Sequence, residues 1–319
     1  MSNQTIVTEF LLLGFSDVRE LQILHFVVFL VLYLASLVGN LLIVTAIALD
    51  HHLHTPMYFF LMNLSILDLA SVSVIIPKSM VNSLMNTRSI SYSGCVAQVF
   101  FFLFFASASF ALLTIMAYDR YVAICQPLPY EMVMNREACV QMAAGAWISG
   151  ILISTLHTGN TFTISFCGGN TVDQFFCEVP QLLKLAWSDS YLREVGVIVF
   201  NVCLDLGCFV FIIVSYVQIF TTVLRIPCEQ GRHKAFSTCL PHLTVISLLL
   251  CTSSFAHLKT TSSSATDLNF LVAVLYSVLP PMMNPIIYSM RNKEINSAVS
   301  KWMCWRLFRK NKMSICLLR

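Results

Sequence analysis

The chain has 319 residues, of which 57% are hydrophobic and only 11% charged, and its mean hydropathy is +0.76. An average soluble domain carries about 25% charged residues, so this composition excludes an ordinary water-soluble fold and indicates a membrane protein. The formal net charge of +3 says little by itself, and no nucleic-acid partner is predicted.

Seven apolar stretches follow one another along the chain. Five contain no Asp, Glu, Lys or Arg, the third of the seven being free of charge from Ser89 to Tyr118, just before Asp119 and Arg120. The second stretch contains Asp68 and Lys78, and the fifth contains only Asp205. Each supplies the roughly 20 apolar residues that an α-helix needs to cross about 30 Å of hydrocarbon. We predict an all-α integral membrane bundle of seven transmembrane helices, forming a single domain over residues 1–319. The predicted spans are about 23–49, 57–81, 95–121, 139–159, 195–224, 235–258 and 268–290.

The basic residues between the spans predict the orientation of the chain. If the C-terminus is cytoplasmic, that side carries 13 Lys and Arg residues and the opposite side carries 6. Cytoplasmic loops carry the excess of positive charge, so residues 1–22 are predicted to be extracellular and residues 291–319 to form a cytoplasmic tail. Asn3 then begins a glycosylation sequon on an outside N-terminus. These features predict a multi-pass protein of the plasma membrane.

Three cysteines, Cys95, Cys167 and Cys177, fall on the predicted outer side, where disulfides persist. A Cys95–Cys177 disulfide would hold the long loop between the fourth and fifth spans over the bundle. The alternative is three free thiols.

Several polar residues fall within or at the ends of the predicted spans, where they are costly and become functional candidates. Asp68, Asn40 and Asn284 lie at matching depths in three spans and predict a polar network, either functional or purely structural. Asp119 and Arg120 close the third span, where a charged pair either marks the membrane interface or has a function.

The ten residues Met116–Cys125, which read MAYDRYVAIC, resemble the signature of the odorant receptors, a family of rhodopsin-like G-protein-coupled receptors. The similarity covers nearly the whole chain, and the ordered set of motifs is far more specific than any one of them. The other matching motifs, in chain order, are Gly39-Asn40, Leu53–Leu61 (LHTPMYFFL), Leu64–Asp68 (LSILD), Ser215-Tyr216, Lys234–Cys239 (KAFSTC) and Pro281–Ser289 (PMMNPIIYS).

This resemblance implies a receptor that binds a small volatile odorant within the bundle, activates a stimulatory heterotrimeric G protein and raises cyclic AMP. Membrane lipid is the other expected partner; no cofactor, metal ion or enzymatic activity is implied. In such receptors the sixth span moves outward and opens a cytoplasmic cleft around Arg120. The residues implied in coupling and activation are Asp119, Arg120, Tyr121, Tyr216, Lys234, Asn284, Pro285 and Tyr288, and those of the polar network are Asn40, Asp68, Ser109 and Asn284.

The resemblance also places the ligand between the outer halves of spans three, five, six and seven. On the third span Phe102, Ala106 and Phe110 repeat every four residues and therefore share one helix face. Further candidate contacts are Leu103, Ser107, Phe200, Leu204, Asp205, Leu250, Ser254, His257, Val274 and Ser277. This mostly apolar set suits a small volatile with one polar group. Asp205 could recognise an amine, or it could be protonated or paired with a neighbouring helix.

The chain departs from the family pattern at three positions. Trp187 stands where a second loop cysteine is expected, which leaves Cys167 either free or bridged elsewhere. Ser109 stands where the family often has Glu, so the network around Asp68 would lose a charge. Leu250 replaces the usual aromatic residue of the sixth span.

Other membrane proteins built from helices are less consistent with this sequence. A transporter or channel would be expected to show inverted repeats, broken helices or charged pore rings. An enzyme would need a constellation such as His-Glu-x-x-His or Gly-x-Ser-x-Gly. None of these features is evident in the sequence. A receptor of the same fold that senses an internal metabolite stays open, because its site would obey the same physics.

Overall fold

The computed structural model describes residues 7–13, 18–164, 166, 169–185, 191–260, 266–291 and 294–300. Two helices in these ranges are short, and the other seven are long and apolar enough to cross a membrane, which confirms the predicted fold class. The helices are α1 (Arg19–Leu49), α2 (Pro56–Met85), α3 (Tyr92–Cys125), α4 (Tyr130–Val133), α5 (Arg136–Phe162), α6 (Val179–Leu183), α7 (Tyr191–Leu224), α8 (Glu229–Thr260) and α9 (Thr266–Arg291).

Local sequence signals explain where several helices begin and end. α2 starts with Pro56, whose fixed φ and missing N–H suit the first helical position. It ends at Asn86, which takes the left-handed conformation with φ of 51°. The N-cap residues Ser91 of α3 and Asn135 of α5 each accept a hydrogen bond from a backbone N–H of the first turn.

Two glycines let helices approach closely in the bundle. A Cβ on Gly150 of α5 would lie 2.9 Å from the carbonyl oxygen of Phe104 on α3. A Cβ on Gly39 of α1 would lie 3.0 Å from the ring of Pro285 on α9. The backbones of the paired helices therefore approach closely at these points, as small residues permit in membrane bundles.

A small sheet closes one end of the bundle, a feature that the sequence did not predict. Its strands are β1 (Glu9–Leu12), β2 (Ser89–Ser91) and β3 (Thr171–Val172), in the order β2-β1-β3. β1 pairs antiparallel with β2 and parallel with β3. Phe10 and Leu12 of β1 are fully buried in an apolar cluster that also contains Cys95 and Cys177. The start of the described chain is thus joined to both α3 and the loop that follows α5.

The bundle has two chemically different ends. One carries the sheet and the Cys95–Cys177 disulfide, which the structure forms as predicted, and is called the disulfide end below. The other carries Asp119, Arg120 and α4 and is called the Arg120 end. Asn3, Cys167, Trp187 and the side chains of Lys234 and His257 lie outside the described residues.

Candidate ligand and coupling sites

Asp119 and Arg120 form an ion pair in the last two turns of α3. Arg120 Nε donates to Asp119 Oδ2 at 3.0 Å, and a guanidinium nitrogen contacts the same oxygen more closely. Asp119 is completely buried, while the Arg120 side chain keeps a small exposed fraction of 11%. In this low-dielectric position a charged pair is held more strongly than at an open surface, so the pair fixes the arginine against its own helix.

Tyr130, at the start of α4, completes this cluster. Its hydroxyl donates to Asp119 Oδ1 at 2.9 Å, so the two carboxylate oxygens bind partners from α3 and α4 separately. Burial and then the adjacent Asp119 charge raise the pKa of the Tyr130 phenol, which therefore stays protonated and remains a donor. Tyr130 could not be identified from the sequence, because it lies eleven residues beyond Asp119 in a connection with no motif.

A cleft of about 420 Å³ opens beside Arg120. Tyr58, at the start of α2, crosses its edge and donates to Glu294 Oε2 at 2.6 Å. The LHTPMYFFL motif therefore helps form this cleft through Thr55, Met57 and Tyr58. The lining residues are Thr55, Met57, Tyr58, Arg120, Ala123, Pro127, Tyr130 and Glu294.

Tyr216 of α7 lies deep in the bundle and contacts α8. Its hydroxyl is 2.5 Å from His242 Nδ1, and both residues are buried. Tyr288 of α9 is also buried, and its hydroxyl has no hydrogen-bond partner among the described residues. Tyr216 and Tyr288, both implied in activation by the resemblance, are thus buried inside the bundle. His242 was not singled out from the sequence.

The predicted polar network is present in part. Asn284 Nδ2 donates to Asp68 Oδ2 at 2.8 Å, which links α9 to α2. Asn40 binds the backbone instead, donating to the carbonyl oxygens of Ser36 and Pro281 at 3.0 Å each. Ser109 is half-buried, and no hydrogen bond joins it to this network within the described chain. A direct link between Asp68 and Asn284 is therefore the central contact.

The predicted ligand residues of α3, α8 and α9 fall into different packing environments. Phe102 and Val274 pack on one apolar cluster with the loop residue Phe176, whereas Leu103 packs on the cluster around the disulfide. Phe110 and Leu250 pack against the main core, and Ser277 is buried with its hydroxyl bonded to the Ala273 carbonyl at 2.6 Å. The residues Ala106, Ser107, Phe200, Leu204, Asp205 and Ser254 are half-buried or exposed.

On α7 the predicted contacts lie on an open part of the helix. Phe200 is 54% exposed, and Leu204 and Asp205 are also exposed. Asp205 accepts a long hydrogen bond of 3.5 Å from Asn201, one turn earlier. The structure therefore brings Phe102 and Val274 together, and it leaves these α7 residues outside that cluster.

Residues of the loop after α5 fill the space between α3 and α9 at the disulfide end. Cys177 is bonded to Cys95, and its backbone N–H donates to Gln98 Oε1 at 2.8 Å. Its neighbours Phe176 and Glu178 reach across to Tyr276 of α9. None of these loop residues beyond Cys177 was predicted, since only the folded chain places them beside Phe102.

The chain is similar in sequence to proteins of one known family. The family model described as "Olfactory receptor" matches residues 29–306. Human olfactory receptor 14A16 is 51% identical over 310 residues, covering 97% of this chain and 100% of that protein. Human olfactory receptor 14I1 is 53% identical over 310 residues, covering 97% of this chain and 98% of that protein.

The chain belongs to the olfactory receptor family. The fold agrees, since the receptor superposes on the crystal structure of squid rhodopsin with a TM-score of 0.73, covering 92% of this chain and 88% of that one at 16% identity. The predicted resemblance to rhodopsin-like receptors is confirmed.

Membership of this family makes the protein a multi-pass membrane receptor and not an enzyme. Olfactory receptors are G-protein-coupled receptors for small molecules. The aromatic cluster around Phe102 and the loop lies at the disulfide end, and the cleft beside Arg120 lies at the other end.

Proposed function

We propose that this olfactory receptor lies in the plasma membrane with its disulfide end extracellular and its Arg120 end in the cytoplasm. The uneven distribution of Lys and Arg supports this orientation, with 13 on the Arg120 side and 6 on the other. A disulfide between Cys95 and Cys177 also suits the oxidising extracellular side. Glycosylation of Asn3 is part of this proposal.

The proposed ligand is a small volatile molecule that binds between α3, α7, α8 and α9 at the disulfide end. Pockets between bundle helices are common sites for small ligands, and they are mostly apolar with a few polar groups. Phe102, Val274 and Ser277 supply such a surface on α3 and α9. To activate the receptor, the ligand must bind the open state better than the closed state.

The proposed partner at the Arg120 end is a stimulatory heterotrimeric G protein, so that ligand binding raises cyclic AMP. The observation that carries this proposal is the cleft of about 420 Å³ beside the Asp119–Arg120 pair. Arg120 borders the cleft but is bound to Asp119, and this contact supports the proposal of a resting state from which the arginine is released. Pro241 in α8 and Pro285 in α9 interrupt the helical hydrogen bonds and ease bending of these helices.

The test is a cyclic AMP assay in cells that express the receptor and are exposed to an odorant panel. With an identified agonist, Arg120→Ala should abolish the rise at matched surface expression. The control is Arg136→Ala, which removes an exposed arginine at the same end of the bundle and should leave the response intact. An undiminished response of Arg120→Ala would contradict the coupling mechanism. A calcium signal without cyclic AMP would contradict the proposed class of G protein.

A further inference from the structure

Glu178 is a buried carboxylate at the disulfide end of the bundle. It follows Cys177 directly, and only 9% of its surface is exposed. The hydroxyl of Tyr276 donates to one carboxylate oxygen, and Gln174 Nε2 donates to the other at 3.2 Å. Gln181 also donates to this carboxylate. Within the described part of the chain, Glu178 makes no salt bridge: its direct partners are neutral donors, and the charge of Lys184 acts on it only from a longer distance.

The two glutamines beside Glu178 each leave an acceptor unused. Gln174 and Gln181 are 5% and 6% exposed, and the Oε1 atom of each is buried with no hydrogen-bond partner in the described structure. Because their amide nitrogens bind Glu178, these oxygens lie close to its carboxylate. Buried acceptors without a donor are uncommon and costly. The region therefore holds more acceptors than its own side chains can satisfy.

Three aromatic rings lie beside this group of acceptors. The ring centroids of Phe102 and Phe176 are 5.4 Å apart, those of Phe102 and Tyr276 are 6.2 Å apart, and those of Phe176 and Tyr276 are 6.3 Å apart. The rings come from α3, the loop and α9, and they pack against one another beside Glu178. Aromatic faces attract cations because of the negative potential of the π system, and they also cover the carbon chain of a ligand.

We propose that Glu178 is the anchor for a ligand that carries a protonated amine, with Gln174 and Gln181 as additional acceptors and the rings of Phe102, Phe176 and Tyr276 around the carbon skeleton. An ammonium group brings up to three donors and a positive charge to a region that has an excess of acceptors and one carboxylate. A ligand with a carboxylate would meet Glu178 as a like charge and would be rejected.

This inference rests on the proposed function, since it names the chemical class of the ligand that binds at the disulfide end. It also moves the acidic anchor from Asp205, the acidic candidate in the sequence, to Glu178. Asp205 lies on the exposed part of α7, whereas Glu178 is buried and bound by Tyr276, whose ring packs on Phe102. A buried carboxylate discriminates strongly between charged and uncharged ligands, because charges interact more strongly in a low-dielectric surrounding.

The test measures the melting temperature of the purified receptor with hexylamine, hexanol or hexanoate, three probes with the same carbon skeleton. A ligand that binds only the folded state raises the melting temperature. We expect a rise with hexylamine, a smaller one with hexanol and none with hexanoate. Glu178→Gln should abolish the rise with hexylamine and leave the effect of hexanol. Asp173→Asn, which changes an exposed acid in the same loop, is the matched control and should behave as the wild type.

A second variant covers the case in which Glu178→Gln fails to fold. Gln181→Met keeps the length of the side chain and removes its acceptor, so it should weaken the hexylamine shift several-fold. The inference is overturned if hexanoate stabilises the wild type more than hexylamine, if no probe shifts the melting temperature, or if a folded Glu178→Gln variant keeps the full hexylamine shift. A melting shift without any cyclic AMP response to these probes or to the odorant panel would instead contradict the proposed function.

Discussion

Tyr130 of α4 donates a hydrogen bond of 2.9 Å to one oxygen of Asp119, while Arg120 of α3 binds the other. The short helix after α3 is therefore part of the contact that holds the arginine beside its neighbour. In the proposed mechanism, release of Arg120 toward the cleft would leave Asp119 buried without its main counterion, so this contact would stabilise the closed state.

We predict that Tyr130→Phe raises the signal measured without ligand. The substitution keeps the ring and removes one hydrogen bond to a charged group, which contributes about 1.5 kcal/mol. If that bond exists only in the closed state, the ratio of open to closed receptor rises by up to roughly tenfold. The measurement is basal cyclic AMP per receptor at the cell surface.

Tyr33→Phe is the matched control for this change. It also removes a hydroxyl hydrogen bond between two helices, from Tyr33 to Ser73 at 3.2 Å, but far from Asp119. Equal basal signals in Tyr130→Phe, Tyr33→Phe and the wild type would show that Tyr130 does not restrain the closed state.

A second prediction concerns two glycines on the same helix. Gly150→Ala should destabilise the receptor, because its Cβ would lie 2.9 Å from the backbone oxygen of Phe104 and 3.1 Å from the Cβ of Ala108. The separation of α3 and α5 would have to increase, and overpacking of this kind costs about 1–3 kcal/mol. Gly145→Ala should be neutral or slightly stabilising, because nothing lies within 4 Å of its Cβ and alanine favours helix.

The measurement for this pair is the melting temperature of the receptor in detergent. Because both changes add one methyl group to α5, any general effect of alanine on this helix appears in both variants. A melting temperature of Gly150→Ala at or above that of Gly145→Ala would contradict the close packing of α3 on α5.

The seven helices could be predicted from the sequence because each is marked by a continuous apolar run. The pairing of Cys95 with Cys177 could be predicted because both cysteines fall on the predicted outer side, where disulfides persist. An apolar run of 20 residues has few structural options in lipid. The partners of Glu178 and Tyr58 could not be predicted in this way. Tyr276 lies 98 residues from Glu178, and Glu294 lies 236 residues from Tyr58, so only the packing of the bundle brings them together.

The small sheet was missed for a related reason. β3 has two residues and β1 has four, which is too short for an alternating pattern to stand out from a loop. β1 becomes a strand because it finds partners on both sides, in β2 and β3. The candidate ligand site could also be predicted only in part. The α7 residues implied by the resemblance are exposed, whereas Phe176 of the loop, which was not predicted, packs on Phe102.

A third prediction is that Cys95→Ser and Cys177→Ser each lower surface expression strongly. The disulfide closes a loop with a sequence separation of 82 residues, and loop closure of this length stabilises a fold by roughly 4–5 kcal/mol in the chain-entropy model. Cys203→Ser, which changes an exposed cysteine of α7, is the control and should be expressed normally. Normal surface levels of both disulfide variants would show that the bond is dispensable for folding.

The last prediction concerns the extracellular pH at which an amine acts. Burial raises the pKa of the Glu178 carboxyl above its usual range, and the hydrogen bonds from Tyr276, Gln181 and Gln174 and the nearby Lys184 charge oppose that rise only in part. As the pH falls through this raised pKa, Glu178 takes up a proton and loses the charge that attracts an ammonium group.

Hexylamine stays protonated over this range, so its effect should weaken on acidification while that of uncharged hexanol changes little. The stability of the fold changes with pH in the opposite direction from amine binding. A carboxyl with a raised pKa stabilises the fold most below its unfolded pKa, and that stabilisation is lost as the pH rises. Weaker binding of hexylamine at low pH therefore cannot be attributed to unfolding linked to Glu178.

The measurement is the probe-induced melting shift at several pH values. In Glu178→Gln any remaining hexylamine effect should no longer depend on pH in this range. An unchanged hexylamine shift in the wild type down to a pH below the usual carboxyl range would exclude Glu178 as the charged anchor.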